Sequence, residues 1–276
     1  MSGWGGELAE IWTNNVPPSR PSCSELCVYT TFLRKLQKKT TRQLKLLVLG
    51  STPEFRDWGY EENLCVSVVD KSEEYYKHIS RELRHKNTKE SVFFSTWEAM
   101  QLPESYDIIL GDLAIGNIDP RKFDTFLRNI RDSLSDDGIF MGKSFIWTDK
   151  ETVKSPKQII DEYSNFIQIH PYTFINHQLG LFCLDKLRFS IDFRRMFLEL
   201  ENLVSHGDMS HELFSYFKNV GWNTEMKFEF FAPSQEFFVS SVNKVLAFNQ
   251  FVHTEDVYTN VFPIYVINQK TSEVTL

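Results

Sequence analysis

Small and acidic residues end several short apolar segments of this 276-residue chain. Gly50 follows the run LKLLVL, Asp70 follows LCVSVV, and Asp112 closes YDIILGD. If these runs are parallel strands, their last residues meet at one sheet edge, which is where open α/β sheets bind ligands. Asp70 lies 20 residues after Gly50, an offset at which a carboxylate accepts hydrogen bonds from ribose hydroxyls. The spacing therefore predicts a nucleoside-binding site.

The loop GSTPEF after the first strand indicates which nucleoside fits. A dinucleotide needs the GxGxxG pattern and a helix N-terminus free to hold its pyrophosphate. Here Pro53 lacks a backbone N–H, and Glu54 places a negative charge where the pyrophosphate would lie. The loop suits an adenosine compound that carries a cationic amine and no phosphate, such as S-adenosyl-L-methionine. A dinucleotide-dependent oxidoreductase is supported by the 20-residue offset alone.

Elements in the first half of the chain alternate between two patterns. Short apolar runs predict strands, and stretches with apolar residues every three or four positions predict amphipathic helices. This alternation predicts a mainly parallel sheet with helices on both faces. The predicted strands are 44–49, 64–69, 92–94, 106–110 and 138–145, and the helices that separate them include 73–86 and 121–134.

After residue 150 the alternation weakens and helical patterns dominate. We predict helices over 155–168, 174–187, 191–206, 212–219 and 235–249, and strands over 224–231 and 263–268. Before the first strand, Ser22 or Ser24 is a suitable cap for a helix that carries Tyr29, Leu33 and Leu36.

Four segments resemble successive motifs of class I S-adenosylmethionine-dependent methyltransferases. They are LKLLVLGSTPE, VVDKSEEY, STWEAMQLPESYDIILGD and LSDDGIFMGKSF, which together span roughly residues 43–150. The resemblance implies a Rossmann-like α/β sheet completed by an antiparallel hairpin of the strands near 224–231 and 263–268. The chain is also similar to a bacterial subgroup that has a TPE loop in place of the Gly-rich first motif and an N-terminal Trp, here Trp12, before a Pro-rich turn.

The resemblance also implies roles for residues of the cofactor site. Gly50 and Ser51 would pass beneath the methionine moiety, and Asp70 would hold the ribose hydroxyls. Thr96 would meet the adenine amine beside Trp97. The remaining cofactor-site residues would be Thr52, Glu54, Lys71, Asp112 and Leu113, and Asn117 would end a loop near the transferable methyl group.

Three of these residues have ordinary structural alternatives. Asp70 is also suited to capping the helix that follows it. Glu54 could instead pair with Arg56 or Lys71, and an aromatic residue such as Trp97 is commonly part of a core.

Catalytic candidates come from the segment IHPYTFINHQ, which is expected to return over the carboxyl edge of the sheet. We select His170, Tyr172 and His177, because His is the natural base near neutral pH. Structural histidines are the alternative. Residues 1–42 are predicted to form a helical lid with Trp12, Arg20 and Tyr29 over the ligand. Residues 43–276 would form the methyltransferase domain, with a helical insertion at about 190–220.

Composition restricts the partners. The formal charge of −7 and the pI near 5.6 disfavour duplex nucleic acid, because phosphate neutralisation needs a basic surface. The four cysteines form no zinc pattern, and neither a signal peptide nor a membrane span is recognisable. We therefore expect a cytoplasmic monomer or homodimer, without metal, that methylates a small molecule or short peptide. The alternative function is a catalytically inactive binding protein with the same fold.

Overall fold

A seven-stranded sheet forms the centre of the protein in a computed structural model, which describes residues 12–86, 89–225 and 229–270. The strand order is β3-β2-β1-β4-β5-β10-β9. Strands β1 to β5 are parallel, and β10 runs antiparallel to both of its neighbours. The strands of this sheet are β1 (Lys45–Leu49), β2 (Cys65–Asp70), β3 (Ser91–Phe94), β4 (Tyr106–Asp112), β5 (Leu134–Lys143), β9 (Ala247–Val252) and β10 (Ile264–Asn268).

The register of the parallel strands aligns the residues that end them. Leu49 pairs with Val69, so the next residues along the two strands, Gly50 and Asp70, leave the sheet side by side. On the other side of β1, Asp112 at the end of β4 pairs with Lys143 at the end of β5. Because β1 is followed by β2 on one side and flanked by β4 on the other, this edge is the switch point of the sheet.

Helices cover both faces of the sheet. Buried residues of α1 and α2 pack on one face, and buried residues of α4 and α9 pack on the other. Helix α1 begins with a capping box in which Ser22 accepts from the Glu25 N–H and the Glu25 carboxylate accepts from the Ser22 N–H. The helices are α1 (Cys23–Gln37), α2 (Pro53–Glu61), α3 (Glu73–Ile79), α4 (Phe123–Ser133), α5 (Pro156–Tyr163), α6 (Pro171–Cys183), α7 (Phe193–Ser205), α8 (His211–Asn219) and α9 (Gln235–Val245).

A second, smaller layer lies between β5 and β9 in the chain. Helices α5 to α8 pack with a three-stranded antiparallel sheet of β6 (Leu184–Asp185), β7 (Ser190–Asp192) and β8 (Glu229–Phe231). The core of this layer is rich in aromatic side chains, including Phe145, Phe174 and Phe217. Within the described residues, no helix has both the length and the apolar composition needed to cross a bilayer.

The predicted fold class is confirmed, but one strand of the predicted hairpin was wrong. Of the segment predicted as a strand near 224–231, residues 229–231 form β8 of the small sheet and residues 226–228 lie outside the described residues. Strand β9 lies beside β10 instead. The predicted helix over 235–249 ends at Val245, after which the chain turns into β9. As an edge strand, β9 has four partly buried and two exposed residues, and it lacks the apolar alternation that identifies a strand.

Truncation of a core residue tests the packing of the sheet against its helices. Phe126 on α4 is fully buried and meets Phe140 of β5 edge to face, with ring centroids 6.0 Å apart. We expect Phe126→Ala to lower the free energy of unfolding by about 3–5 kcal/mol, because it leaves a cavity. The matched control Phe94→Ala, at a side chain 48% exposed, should cost less than about 1 kcal/mol in the same urea titration. Equal losses for the two variants would contradict this packing.

Candidate functional site

A cavity of about 200 Å³ opens at the carboxyl ends of β1, β2 and β4, and we call it the strand-end cavity. Its volume is more than ten times the roughly 10–15 Å³ that one water requires, so it has room for a small molecule. The residues that line it are Trp12, Ser19, Leu49, Gly50, Ser51, Thr52, Asp70, Lys71, Tyr75, Ser95, Thr96, Trp97, Glu98, Asp112, Leu113 and Asn117.

Most of the site residues predicted from the sequence lie in this lining. Those brought together there are Gly50, Ser51, Thr52, Asp70, Lys71, Thr96, Trp97, Asp112, Leu113, Trp12 and Asn117. The predicted residues outside the lining are Glu54, Arg20, Tyr29, His170, Tyr172 and His177. The strand-end rule therefore located the cavity, whereas the residues chosen outside the strand ends have other surroundings.

Gly50 forms the floor of the cavity beside an indole ring. Its φ of +84° lies in the left-handed region that favours glycine, and a Cβ at this position would be 3.5 Å from Trp97. The indole N–H of Trp97 donates to the Val69 carbonyl over 3.1 Å, which fixes the plane of the ring. Trp97 is thus half-buried against the sheet edge and also lines the cavity.

Asp70 keeps unused acceptor capacity in the cavity. One carboxylate oxygen accepts from Ser51 Oγ at 2.6 Å, and the other accepts from the Ser72 N–H at 2.9 Å. Burial raises the pKa of Asp70, and these hydrogen bonds oppose the rise. The side chain that caps helix α3 is Ser72, which accepts from the Tyr75 N–H, so Asp70 is not the cap. Each oxygen of Asp70 retains a lone pair for a ligand.

A buried lysine joins two carboxylates at the edge of the cavity. Lys143 is fully buried, and its ammonium donates to Glu25 Oε2 at 2.6 Å and to the Arg20 carbonyl at 2.8 Å. Asp112 Oδ1 lies 3.2 Å from the same ammonium but makes no hydrogen bond. The hydroxyl of Tyr258 donates to the second oxygen of Glu25. One positive charge thus faces two negative charges in a buried cluster.

The imbalance of this cluster changes its proton affinities. Burial raises the pKa of Asp112 well above the ordinary carboxyl value; Lys143 opposes the rise and Glu25 adds to it. Burial by itself lowers the pKa of Lys143, but Asp112 and Glu25 more than offset this, so the net shift is upward. Lys143 is therefore charged at neutral pH, and Asp112 is the member of the cluster whose affinity for a proton is raised.

An ion pair joins the segment before α1 to the first turn of α2. Arg20 Nε donates to Glu54 Oε1 at 2.6 Å, so Glu54 pairs with Arg20 and not with Arg56 as the alternative assumed. Neither residue lines the cavity. Tyr29 was predicted to face the ligand, but it is fully buried in the core between α1 and the sheet, in edge contact with Phe55.

The two predicted catalytic histidines do not reach the strand-end cavity. His177 is buried beside Phe174, and burial lowers its pKa to about 4, so it is neutral and a weak base at pH 7. His170 borders a different groove next to Tyr216, and burial lowers its pKa as well. Tyr172 lies closer: its hydroxyl is 2.7 Å from Ser19 Oγ, and Ser19 lines the cavity. Burial raises the pKa of Tyr172 to about 12, so it remains protonated.

Several functional residues were missed by the sequence reasoning. Lys143 ends β5 at the same edge as Asp112, so the strand-end rule could have found it. Glu25 looked like an ordinary first-turn carboxylate, and Ser19 like part of a Pro-rich turn. No local signal identifies them, because both reach the site through tertiary contacts.

Ionisable groups and unpaired polar atoms both line the cavity. Its lining contains the carboxylates of Asp70, Glu98 and Asp112 against one ammonium, that of Lys71. Three lining residues also have a buried polar atom without a hydrogen-bond partner: Trp12 Nε1, Asp112 Oδ1 and Asn117 Oδ1. Buried polar atoms are normally paired, so these atoms indicate where a ligand would supply partners.

Comparisons with known proteins establish the fold. No protein-family model matches the sequence, and no curated protein matches it. The CcbJ methyltransferase from Streptomyces caelestis is 10% identical with a TM-score of 0.58, over 96% of this chain and 97% of CcbJ. The N-methyltransferase NodS from Bradyrhizobium japonicum, solved with S-adenosylhomocysteine, is 10% identical with a TM-score of 0.50, over 95% and 96%. The chain has the Rossmann-like fold of class I methyltransferases.

The likeness does not extend to an activity. A proposed Zn-dependent alcohol dehydrogenase from Rhodobacter sphaeroides is 15% identical with a TM-score of 0.55, over 96% of this chain and 98% of that chain. At such identities the shared property is the fold, and function must be argued from the site. Among the described residues, no group of three or more His, Cys, Asp or Glu is arranged to hold a metal.

Asp112 should make stability depend on pH. Because its folded pKa is raised, the folded protein binds a proton that the unfolded chain releases, so stability falls as pH rises above the ordinary carboxyl value. The free energy of unfolding of Asp112→Asn, relative to that of wild type, should therefore rise by at least about 1 kcal/mol from pH 5 to pH 8. One pKa unit corresponds to about 1.4 kcal/mol. Urea titrations at the two pH values measure this difference.

The matched control for this prediction is Asp119→Asn. A hydrogen bond from Arg121 lowers the pKa of Asp119 to about 2, so this carboxyl is ionised in both states throughout the range. Its substitution should shift stability equally at pH 5 and pH 8. The same pH dependence in Asp112→Asn and wild type would contradict the charge imbalance described here.

Proposed function

We propose that this protein is an S-adenosylmethionine-dependent methyltransferase that acts on a small-molecule acceptor. The observation that carries the proposal is the meeting of Asp70, Trp97 and Asp112 in one cavity at the switch point of a class I methyltransferase fold. A hydroxyl-binding carboxylate, an indole and a second carboxylate suit the ribose, the adenine and the cationic methionine moiety respectively.

The electrostatics of the site support a sulfonium nucleoside over a phosphorylated nucleotide. Three carboxylates line the cavity, and α2 begins with Pro53, which offers no N–H to a phosphate. The carboxylate of Glu54 in the first turn of α2 is already paired with Arg20. A pyrophosphate would therefore meet more negative than positive charge, whereas an ammonium would relieve the excess charge around Asp112.

The unpaired buried atoms fit the methionine end of this cofactor. An ammonium has three donors; Asn117 Oδ1 has no hydrogen-bond partner, and Asp112 Oδ1 has only the ion pair with Lys143 at 3.2 Å. Trp12 Nε1 is a buried donor without an acceptor, and a carboxylate is a suitable one. These residues, together with Asp70 for the ribose, are the ones we assign to holding the cofactor.

When bound, S-adenosylmethionine supplies an electrophilic methyl: the acceptor's lone pair forms the new bond to this carbon while the C–S electron pair returns to sulfur. The chain's contribution is orientation, which by itself lowers such barriers by about 7–11 kcal/mol. Trp12 and Ser19 come from the N-terminal segment and cover the cavity, which excludes water from the reacting atoms. The partly enclosed cavity supports a small acceptor.

Cofactor titration tests the proposal. Isothermal titration calorimetry with S-adenosylhomocysteine should show one site, and Asp70→Ala should weaken binding at least tenfold, because the ribose hydroxyls lose a charged acceptor worth about 1.5–3 kcal/mol. Asp149→Ala is the matched control: its carboxylate is exposed and pairs with Lys186 on the surface, so its affinity should equal that of wild type. Equal binding by wild type and Asp70→Ala would refute the assigned site.

A further inference from the structure

A second cavity, lined largely by aromatic and aliphatic side chains, adjoins the strand-end cavity. We call it the phenylalanine cavity. Its lining residues are Pro18, Ser19, Leu113, Phe145, Asn176, Gly180, Ile191, Phe193, Met196, Phe230 and Phe262. Ser19 and Leu113 line both cavities, so these two residues mark the boundary between them.

We propose that the phenylalanine cavity is the acceptor site, that it takes an uncharged aromatic molecule, and that Asn176 is the polar residue that selects it. The name acceptor site depends on the methyltransferase function proposed above. The ligand chemistry follows from the cavity itself and is tested separately below.

The walls of the phenylalanine cavity are mainly aromatic and aliphatic. No charged side chain is present in the described lining, and the polar lining residues are Ser19 and Asn176. Phe145 and Phe262 meet edge to face with ring centroids 5.2 Å apart, and Phe193 meets Phe230 similarly at 6.3 Å. Aromatic rings prefer such edge and offset contacts with one another. The thioether sulfur of Met196, which also lines the cavity, makes favourable contacts with aromatic rings. An ionised ligand would find no counter-charge here.

Asn176 is a mostly buried polar residue in the lining of the phenylalanine cavity. Its side chain is 6% exposed, and among the described residues its amide has no hydrogen-bond partner. It lines the phenylalanine cavity, where the amide remains open to a ligand. An amide in an otherwise apolar wall offers both a donor and an acceptor, so it would select a ligand group that forms a hydrogen bond.

Helix geometry explains why Asn176, and not its neighbour His177, faces the ligand. Tyr172, Asn176 and Gly180 are spaced by four residues and share one stripe of α6. Along this stripe Tyr172 contacts Ser19, while Asn176 and Gly180 line the cavity. His177 is turned by about 100° around the helix and bonds to the Thr173 carbonyl.

The boundary between the cavities has a strained backbone. Leu113 has a φ of +52°, which is unusual for a residue with a side chain, and its N–H donates to the Lys143 carbonyl. Such strain concentrates at functional sites. The next turn is equally constrained, because a Cβ on Gly116 would lie 1.8 Å from the Phe230 ring. The loop after β4 thus supplies Leu113 to both cavities and packs closely against Phe230 in the wall of the phenylalanine cavity.

The cavity is narrow in this structure, with a volume of about 30 Å³. A whole ring therefore requires some wall to move. Pro18 and Ser19 belong to the N-terminal segment, which is joined to α6 by hydrogen bonds from Thr173 Oγ1 to the Pro17 carbonyl and between Ser19 and Tyr172. Displacement of this segment would open both cavities together.

Binding of fluorinated probes, followed by ¹⁹F NMR titration at pH 7, tests the inference. The probes are 4-fluorophenol, 4-fluorotoluene and 4-fluorobenzoate, each with and without saturating S-adenosylhomocysteine. Wild type should bind 4-fluorophenol at least tenfold more tightly than 4-fluorobenzoate. The affinity of Asn176→Leu for 4-fluorophenol should be at least tenfold weaker than that of wild type, and its affinity for 4-fluorotoluene should change less than twofold. Gln178→Leu, a half-buried amide on another face of α6, should bind like wild type.

Two results would overturn the inference. One is equal affinity of wild type for 4-fluorophenol and 4-fluorobenzoate, and the other is an Asn176→Leu variant that binds 4-fluorophenol and 4-fluorotoluene as tightly as wild type does. The first comparison needs no variant, so it decides even if Asn176→Leu fails to fold. Calorimetry with S-adenosylhomocysteine on the same samples separates the two proposals. Cofactor binding without selective phenol binding removes the acceptor site alone, whereas selective phenol binding without cofactor binding removes the methyltransferase proposal alone.

Discussion

The single ammonium of Lys143, buried between two carboxylates, is the interaction on which the arrangement of the site depends. It joins β5 to the capping carboxylate of α1 and to the backbone of Arg20, and it lies beside the carboxylate that ends β4. A buried charge cannot be left without partners, because removal of one member of such a cluster costs several kcal/mol. The N-terminal segment is therefore held over the strand ends, where Trp12 and Ser19 complete the cavity.

The same cluster gives the two cavities different charge. Two carboxylates share one lysine at the edge of the strand-end cavity, and the pKa of one of them, Asp112, is raised. Across the boundary formed by Ser19 and Leu113, the phenylalanine cavity contains no charge in its described lining. A cationic cofactor and a neutral acceptor would thus be separated by the properties of adjacent walls, with the reacting atoms at the boundary.

Much of the fold could be predicted from local patterns. The parallel half of the sheet follows from five apolar runs separated by amphipathic helices, and the capping box of α1 follows from the spacing of Ser22 and Glu25. The exchange of β9 for β8 at the end of the sheet could not be predicted, because a half-exposed edge strand and a three-residue strand have similar weak patterns. Which of two such strands joins a sheet is decided by packing against distant residues.

The sequence by itself determined which residues end the central strands, and hence that Gly50, Asp70, Trp97 and Asp112 would meet, because parallel strands in register must end at one edge. The tertiary structure alone decided the partners of those residues. It placed Lys143 between Glu25 and Asp112, paired Arg20 with Glu54, and turned Asn176 instead of His177 toward a cavity. Such contacts join positions more than thirty residues apart or depend on the rotation of a helix about its axis, and neither is encoded in the spacing of residue types along the chain.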